Sequence, residues 1–389
     1  MRHRRPRLLF VQYGDFMEAY IRLKAGGPET YRDQRKSVEY VESLSGDFDI
    51  TVLSICNYAY SQFITENINS IGCLNTQLND SYISNLFDID NPKLFVLRTP
   101  HLGFLKEAAR RGVKTLPNFA DIFARNRIRD IYYNYRLSSV LSNKAFTCFS
   151  NHSLNASKSM IDILGLPQEM IVPWDWSKLP VGQDSKQQNK ERSAFSVFFA
   201  GIISADKGIE ECLRSIPILR REGVDLHFSF AGPGEIQRWR SLAGQLGVEN
   251  HVNFLGTIPH DDVRLQMRIH DAVVVPSRHS YAEGLPNTIY EALASRSPLI
   301  ISDHPAFAGR LEVGLECLMF SAGNPDDLAA KILDLVRSPS LYGRLSYNSA
   351  EAHEKLYVGI EWQQLIGKFL NDPSNAEKWV QECSLSTLL

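Results

Sequence analysis

The chain has 389 residues, 44% of them hydrophobic and 22% charged, with a formal net charge of −2. That length is enough for two or three domains with real cores, and the balance excludes a disordered chain or one that coats nucleic acid. The six cysteines show no CxxC pair and no zinc spacing, so reduced thiols are expected. The basic start, MRHRRPRLLFVQYGDF, loses its apolar run after Val11, too early for a signal peptide. No run approaches the roughly 20 apolar residues of a membrane-spanning helix. The expectation is a cytoplasmic protein, at most peripheral at the inner face of the membrane.

In chain order, Leu8–Tyr13 reads as a strand, followed by a loop to Gly26-Gly27 and a helix over Glu29–Leu44. Strands follow at Asp49–Ile55, Leu94–Arg98, Lys114–Asn118 and Ala145–Ser150, with helices at Ile83–Phe87, Leu102–Arg111 and Asn151–Leu164. The Asn- and Ser-rich stretch 57–91 carries few other signals. A polar run then reads as a linker, and the alternation restarts. Strands are expected at Phe195–Ala200, Leu226–Ala231, Val252–Leu255, Ala272–Pro276 and Pro298–Ser302. Helices are expected at Lys207–Glu222, Glu235–Leu246, Asp261–Ile269, Pro286–Ser295 and Asp326–Arg337. Alternation of this kind predicts an α/β chain with two Rossmann-like, doubly wound parallel sheets facing each other across a cleft. The predicted divisions are a first domain over 1–175, a linker over 176–193, a second domain over 194–371 and a helical tail over 372–389.

Ligands of such sheets sit at the carboxyl ends of the strands, and three stretches there carry chemistry. At the start of the helix after Glu283, the N–H groups of Gly284, Leu285, Asn287 and Thr288 would be free, with Pro286 in the first turn. That is an anion site. Glu283 lies before the helix and Glu291 within it. On residue types alone they are equally well a loop residue and a solvated helix face. Gly201–Gly208 places Lys207 between a strand and a helix, where it either binds phosphate or simply meets solvent. Ala231-Gly-Pro-Gly234 is a turn after a strand.

In combination, FFAGIISADKGIEECLRSIP, FSFAGPGE, VNFLGTI and VVVPSRHSYAEGLPNTIYEALASRSPLIISD resemble the retaining glycosyltransferases of family 4, the glycogen-synthase-like group 1 enzymes of GT-B fold. GGPETY (Gly26–Tyr31) occupies the position of that family's glycine-rich loop. The resemblance implies that Glu283 contacts the transferred sugar and Glu291 the ribose, while Lys207 and the Gly284–Thr288 backbone hold the diphosphate. It implies that Gly232, Thr257 and Ile258 border the nucleotide and that Gly26 and Gly27 approach the donor. The donor would be a UDP- or GDP-linked sugar used as substrate, with no metal and no cofactor. The acceptor would be a glycan, a lipid-linked or a small molecule in polysaccharide or glycoconjugate assembly. Two positions depart from the family: Ile202 stands where an Arg is usual, and Ala120 where a His is usual. Asp121 or His101 would then take over acceptor-side sugar binding, and Arg98 or Arg278 the missing charge.

Residues 105–136 hold eight Lys/Arg against three acids, with Phe and Tyr interleaved. The stretch is either a solvated helix face or a patch for an anionic membrane or lipid-linked acceptor. Asn151–Ser153 is expected to cap a helix, and Trp174 and Trp176 to pack at a domain junction. A non-catalytic GT-B protein that binds sugar nucleotides or serves as a partner remains the rival reading, motivated by Ile202 and Ala120. A sugar-nucleotide epimerase is a third.

Overall fold

The computed structural model describes residues 5–125, 127–188, 194–281 and 283–388. Arg2 and Arg4 of the basic start, and residues 189–193 of the predicted linker, lie outside the described residues. The chain forms two compact units: Met1–Glu29, Asp33–Ser177 and Val358–Leu389 make the first, and Thr30–Arg32 and Lys178–Tyr357 the second.

In the first unit the strands are β1 (Arg7–Tyr13), β2 (Asp49–Ile55), β3 (Tyr60–Thr65), β4 (Ile68–Cys73), β5 (Leu94–Leu97), β6 (Lys114–Phe119), β7 (Phe149–His152) and β8 (Ile171–Asp175). They lie in the order β8-β7-β6-β5-β1-β2-β4-β3. Every pair is parallel except the β3–β4 hairpin. Leu9 and Val11 of β1 enter one core with Phe95 and Phe104, while Leu8 and Phe10 enter the other with Ile50 and Val38. That two-sided burial is what an unalternating apolar run signals. The helices are α1 (Phe16–Lys24), α2 (Gln34–Ser43), α3 (Asp80–Asp90), α4 (Leu102–Arg111), α5 (Ile128–Leu141) and α6 (Leu154–Asp162). Asp15 caps α1 by accepting from Glu18 N at 3.1 Å, and Asn79 caps α3 by accepting from Tyr82 N at 2.9 Å.

Four local expectations change here, the first being the loop expected up to Gly26-Gly27, which holds α1. The predicted helix from Asn151 starts at Leu154, because β7 runs on to His152. Asn151 is no cap: its Nδ2 donates to the carbonyls of Asp121 and Ala156, at 2.9 and 3.0 Å. Trp174 and Trp176 belong to the first unit's own core, their rings 5.1 Å apart at 87°, with Trp362 6.0 Å from Trp176.

The second unit has six parallel strands: β9 (Phe195–Ala200), β10 (Leu226–Ala231), β11 (Val252–Gly256), β12 (Ala272–Val275), β13 (Leu299–Ser302) and β14 (Leu318–Phe320), in the order β11-β10-β9-β12-β13-β14. All four residues of β12, Ala-Val-Val-Val, are buried in mid-sheet. Its helices are α7 (Ile209–Arg221), α8 (Ile236–Gln245), α9 (His260–Ile269), α10 (Asn287–Ala294), α11 (Pro325–Arg337) and α12 (Pro339–Leu356). On α7 the predicted apolar face, Ile209, Cys212, Leu213, Ile216 and Leu219, is wholly buried. Helix α11 opens on Asn324, whose side chain accepts from Asp326 N and Asp327 N, with Pro325 at its first position.

The chain then returns to the first unit through β15 (Ile360–Glu361), α13 (Trp362–Asn371), α14 (Trp379–Cys383) and α15 (Leu385–Leu388). β15 pairs in parallel with β8, Ile360 opposite Trp174. The predicted second domain of 194–371 is therefore too long at its end, and the tail is not free-standing. Trp362, Leu365, Ile366 and Phe369 are buried in the core with Val172 and Trp174, and Trp362 Nε1 donates to Asn118 Oδ1 at 2.9 Å. An apolar helix face at this spacing says that it will be covered but not by which sheet.

Candidate active site

Four strand ends of the second unit converge on one site. The turn after β10 packs backbone to backbone on the turn after β9. Gly201 N donates to Ala231 O at 3.0 Å, and Gly232 N to Gly256 O at 2.8 Å. A Cβ on Gly232 would lie 1.8 Å from Gly201 O, so no other residue fits. Thr257, exposed, and Ile258, half-buried, follow β11 directly.

Lys207 ends a short turn, Ala205–Lys207, ahead of α7. Gly208 at φ +74° makes the bend, and a Cβ there would meet Pro276 O at 2.2 Å. The lysine is thereby held beside the loop after β12. Its ammonium is ion-paired with Glu283 Oε1, the side chains 12% and 9% exposed, and lies 4.4 Å from the centroid of the Tyr281 ring. Glu283 Oε2 accepts from Ser277 Oγ at 2.6 Å. His304, just past β13, is buried with its Nε2 3.0 Å from Tyr281 O, and burial lowers its pKa.

Gly284 and Leu285 are buried, and Pro286 is extended at φ −70°, ψ 142°. Helix α10 therefore opens at Asn287, one residue later than predicted, and the N–H groups of Asn287 and Thr288 have no carbonyl one turn back. Thr288 Oγ1 donates to Ala200 O at 3.2 Å, tying the helix start to the end of β9. Asn287 Oδ1 is buried without a hydrogen-bond partner. Glu291 is 4% exposed, which overturns the solvated-face alternative. Its carboxylate lies 3.6 Å from His260 Nε2. Burial pushes its pKa up, against the pull of His260, Arg32 and Arg264.

The remaining candidates stand on the first unit. Gly26 and Gly27 terminate α1: Gly26 N donates to Leu23 O at 3.1 Å and Gly27 N to Arg22 O at 2.8 Å, the paired bonds of a Schellman stop. Asp121 follows β6, its pKa raised by burial, beside the exposed Ala120. His101 opens α4 with a buried Nδ1 that finds no partner. Neither suggested substitute for the missing charge is idle. Arg98 donates to Gln12 at 2.9 Å and stacks 4.8 Å over Trp362. Arg278 is held by Glu211 at 2.5 Å and Glu210 at 3.5 Å. Ile202 is 49% exposed.

Sequence reasoning missed Ser277, Tyr281, His260 and His304. Ser277 and His304 could have been found, since each lies within two residues of a predicted strand end. Tyr281 reaches the site through the folded loop after β12, and His260 stands at the first position of α9, where packing beside α10 brings it to Glu291. Among the described residues one group could hold a metal: Asp225, His227 and His251, with ligand atoms within 4.8 Å of one another. It lies at the amino ends of β10 and β11, the opposite strand ends from Gly232 and Gly256.

Residues 181–352 match the family model described as Glycosyl transferases group 1. Alpha-D-kanosaminyltransferase of Streptomyces kanamyceticus is 28% identical over 155 residues, 40% of this chain and 39% of that protein. The chain thus matches about two fifths of that curated relative's length. Among solved structures, sucrose-phosphate synthase from Thermosynechococcus elongatus superposes with a TM-score of 0.66 at 12% identity, covering 94% of this chain and 98% of that one. Anabaena Alr3699/HepE, solved in complex with UDP and glucose, superposes with a TM-score of 0.65 at 15% identity, covering 94% and 99%. Both α/β units thus follow the GT-B architecture of these solved structures, and the stretch that matches the Glycosyl transferases group 1 model falls in the second.

Proposed function

We propose that the chain is a retaining, metal-independent glycosyltransferase that moves a sugar from a nucleotide-linked donor to a hydroxyl acceptor. The observation that carries this reading is the meeting of Lys207, Glu283 and the start of α10 at neighbouring strand ends. A UDP- or GDP-linked sugar fits the chemistry, and the Anabaena protein was solved in complex with UDP and glucose. The acceptor is a glycan, a lipid-linked or a small-molecule hydroxyl.

In this reading the diphosphate takes Lys207 away from Glu283, and the N–H groups at Gly284, Leu285, Asn287 and Thr288 share its charge. Freed of its cation, the Glu283 carboxylate turns to the sugar hydroxyls while Ser277 keeps it oriented. The buried Glu291 accepts from the ribose hydroxyls. When the sugar C1–O bond breaks, its electron pair goes to the diphosphate oxygen. The acceptor oxygen bonds to C1 on the same face, and its proton passes to the leaving phosphate. The protein contributes position and fixed positive charge. On the first unit, Asp121 is proposed for the acceptor side.

The test is a panel of UDP-, GDP- and ADP-linked sugars read by thermal unfolding and product mass. One donor is expected to raise Tm, and turnover is expected to fall by about 10²–10³ in Lys207→Ala. Binding with no turnover in any acceptor mixture would instead make the chain a non-catalytic sugar-nucleotide binder.

A further inference from the structure

Helix α5 carries an apolar stripe on its outer side. Ile128, Ile131, Tyr132 and Tyr135 are 86%, 48%, 62% and 74% exposed. Their spacing of i, i+3, i+4 and i+7 puts them on one line of the helix. The stripe is not a core face left uncovered, because the other side of α5 already makes the core contact. Asn134, Leu137 and Leu141 are buried, Asn134 Nδ2 donates to Ala124 O at 2.7 Å, and Ser138 Oγ to Leu164 O at 2.5 Å.

Around the stripe stand Arg125, Arg127, Arg129 and Arg136, all exposed, with Asp130 the one acid between 125 and 136. The Arg136 guanidinium lies 5.6 Å over the Tyr132 ring. Ile side chains beside Tyr hydroxyls and Arg heads match the layered chemistry of a lipid headgroup region. There the apolar bodies sink, and the polar tips stay level with the phosphates. A fourteen-residue helix is about 21 Å long, enough to lie flat on that surface. None of the described helices is long and apolar enough to cross a membrane, so such a contact is a surface one.

We propose that α5 docks on an anionic lipid bilayer, with Ile128, Ile131, Tyr132 and Tyr135 inserted among the headgroups and Arg127, Arg129 and Arg136 against lipid phosphates. The test sediments the full chain with vesicles of phosphatidylcholine alone, or with phosphatidylglycerol added. Two variants replace only exposed side chains: Ile128→Ser/Tyr132→Ser/Tyr135→Ser and Arg127→Glu/Arg129→Glu/Arg136→Glu. The wild type is expected to bind the phosphatidylglycerol vesicles, less at high salt, and each variant to bind at least about tenfold more weakly. No wild-type binding, or undiminished binding by both variants, overturns the proposal. So does a lipid-free dimer in sedimentation velocity that the Ser variant abolishes, which would assign the stripe to a second copy of this chain. Both variants are expected to keep the Tm shift given by the sugar nucleotide. Loss of the donor reading and loss of the docking reading therefore show in different measurements.

Discussion

Lys207 and Glu283 neutralise each other in a place that is largely closed to water. Removing one partner leaves the other charge without its counterion. Lys207→Met is expected to destabilise the second unit by about 1–3 kcal/mol in urea denaturation, less than a fully buried pair would lose. Unchanged stability would mean that the ion pair does not hold in solution. Asp121 gives a second residue-scale test. Burial raises its pKa above the unfolded value, so the folded state favours the protonated carboxyl. Its stabilising contribution is complete below the ordinary carboxylate pKa and is lost as pH rises through the raised folded value. Asp121→Asn is accordingly expected to match the wild type in Tm at acid pH and to exceed it at neutral pH. A lower Tm for the variant at neutral pH would show that the carboxylate is held by a partner. At this scale the sequence was informative where a side chain sits at a strand end, as Lys207 and Glu283 do. It was silent on what the chain's path brings together: Tyr281 of the loop after β12 beside Lys207, and His260 at the start of α9 beside Glu291, follow from no local pattern.

Strands buried on both faces were the most readable elements. β1, β9 and β12 match their predictions to within a residue or so, because each is a short run rich in Val, Leu or Phe and buried over most of its length. The β3–β4 hairpin was not readable. Its residues, YSQFIT and INSIGC, are polar enough to pass for loop, and β3 lies at the sheet edge with most of its side chains half-buried or exposed. The return of α13 to the first unit was unreadable for a different reason: amphipathic spacing does not name the partner sheet. It does carry a test. Trp362 is buried against Trp176 and bonded to Asn118, so Trp362→Ala is expected to cost about 3–5 kcal/mol. Chemical denaturation followed by a probe in the first unit would measure the loss. Gly232→Ala is the corresponding test for the turns of the second unit. The Cβ would overlap Gly201 O, so the turns after β9 and β10 must separate. The Tm shift given by a sugar nucleotide is expected to vanish while the variant remains folded by circular dichroism.

Over the whole molecule, two α/β units of GT-B architecture carry different kinds of candidate residue. The second unit presents positive charge and helix N–H groups suited to a diphosphate, and it is the part that matches the group 1 family model. The first presents a half-buried acid, an imidazole with a buried Nδ1 and the exposed stripe of α5, which the proposed function and the proposed docking assign to the acceptor and to a lipid surface. The absence of an Arg at Ile202 makes Lys207 the side chain on which diphosphate binding is expected to depend most heavily. The decisive measurement is calorimetric titration of UDP- and GDP-sugars into the wild type and into Lys207→Ala. At least one sugar nucleotide is expected to bind the wild type and to bind Lys207→Ala at least about tenfold more weakly. No binding of any of them at millimolar concentration, or equal affinity in the two proteins, would contradict a sugar-nucleotide site at these strand ends.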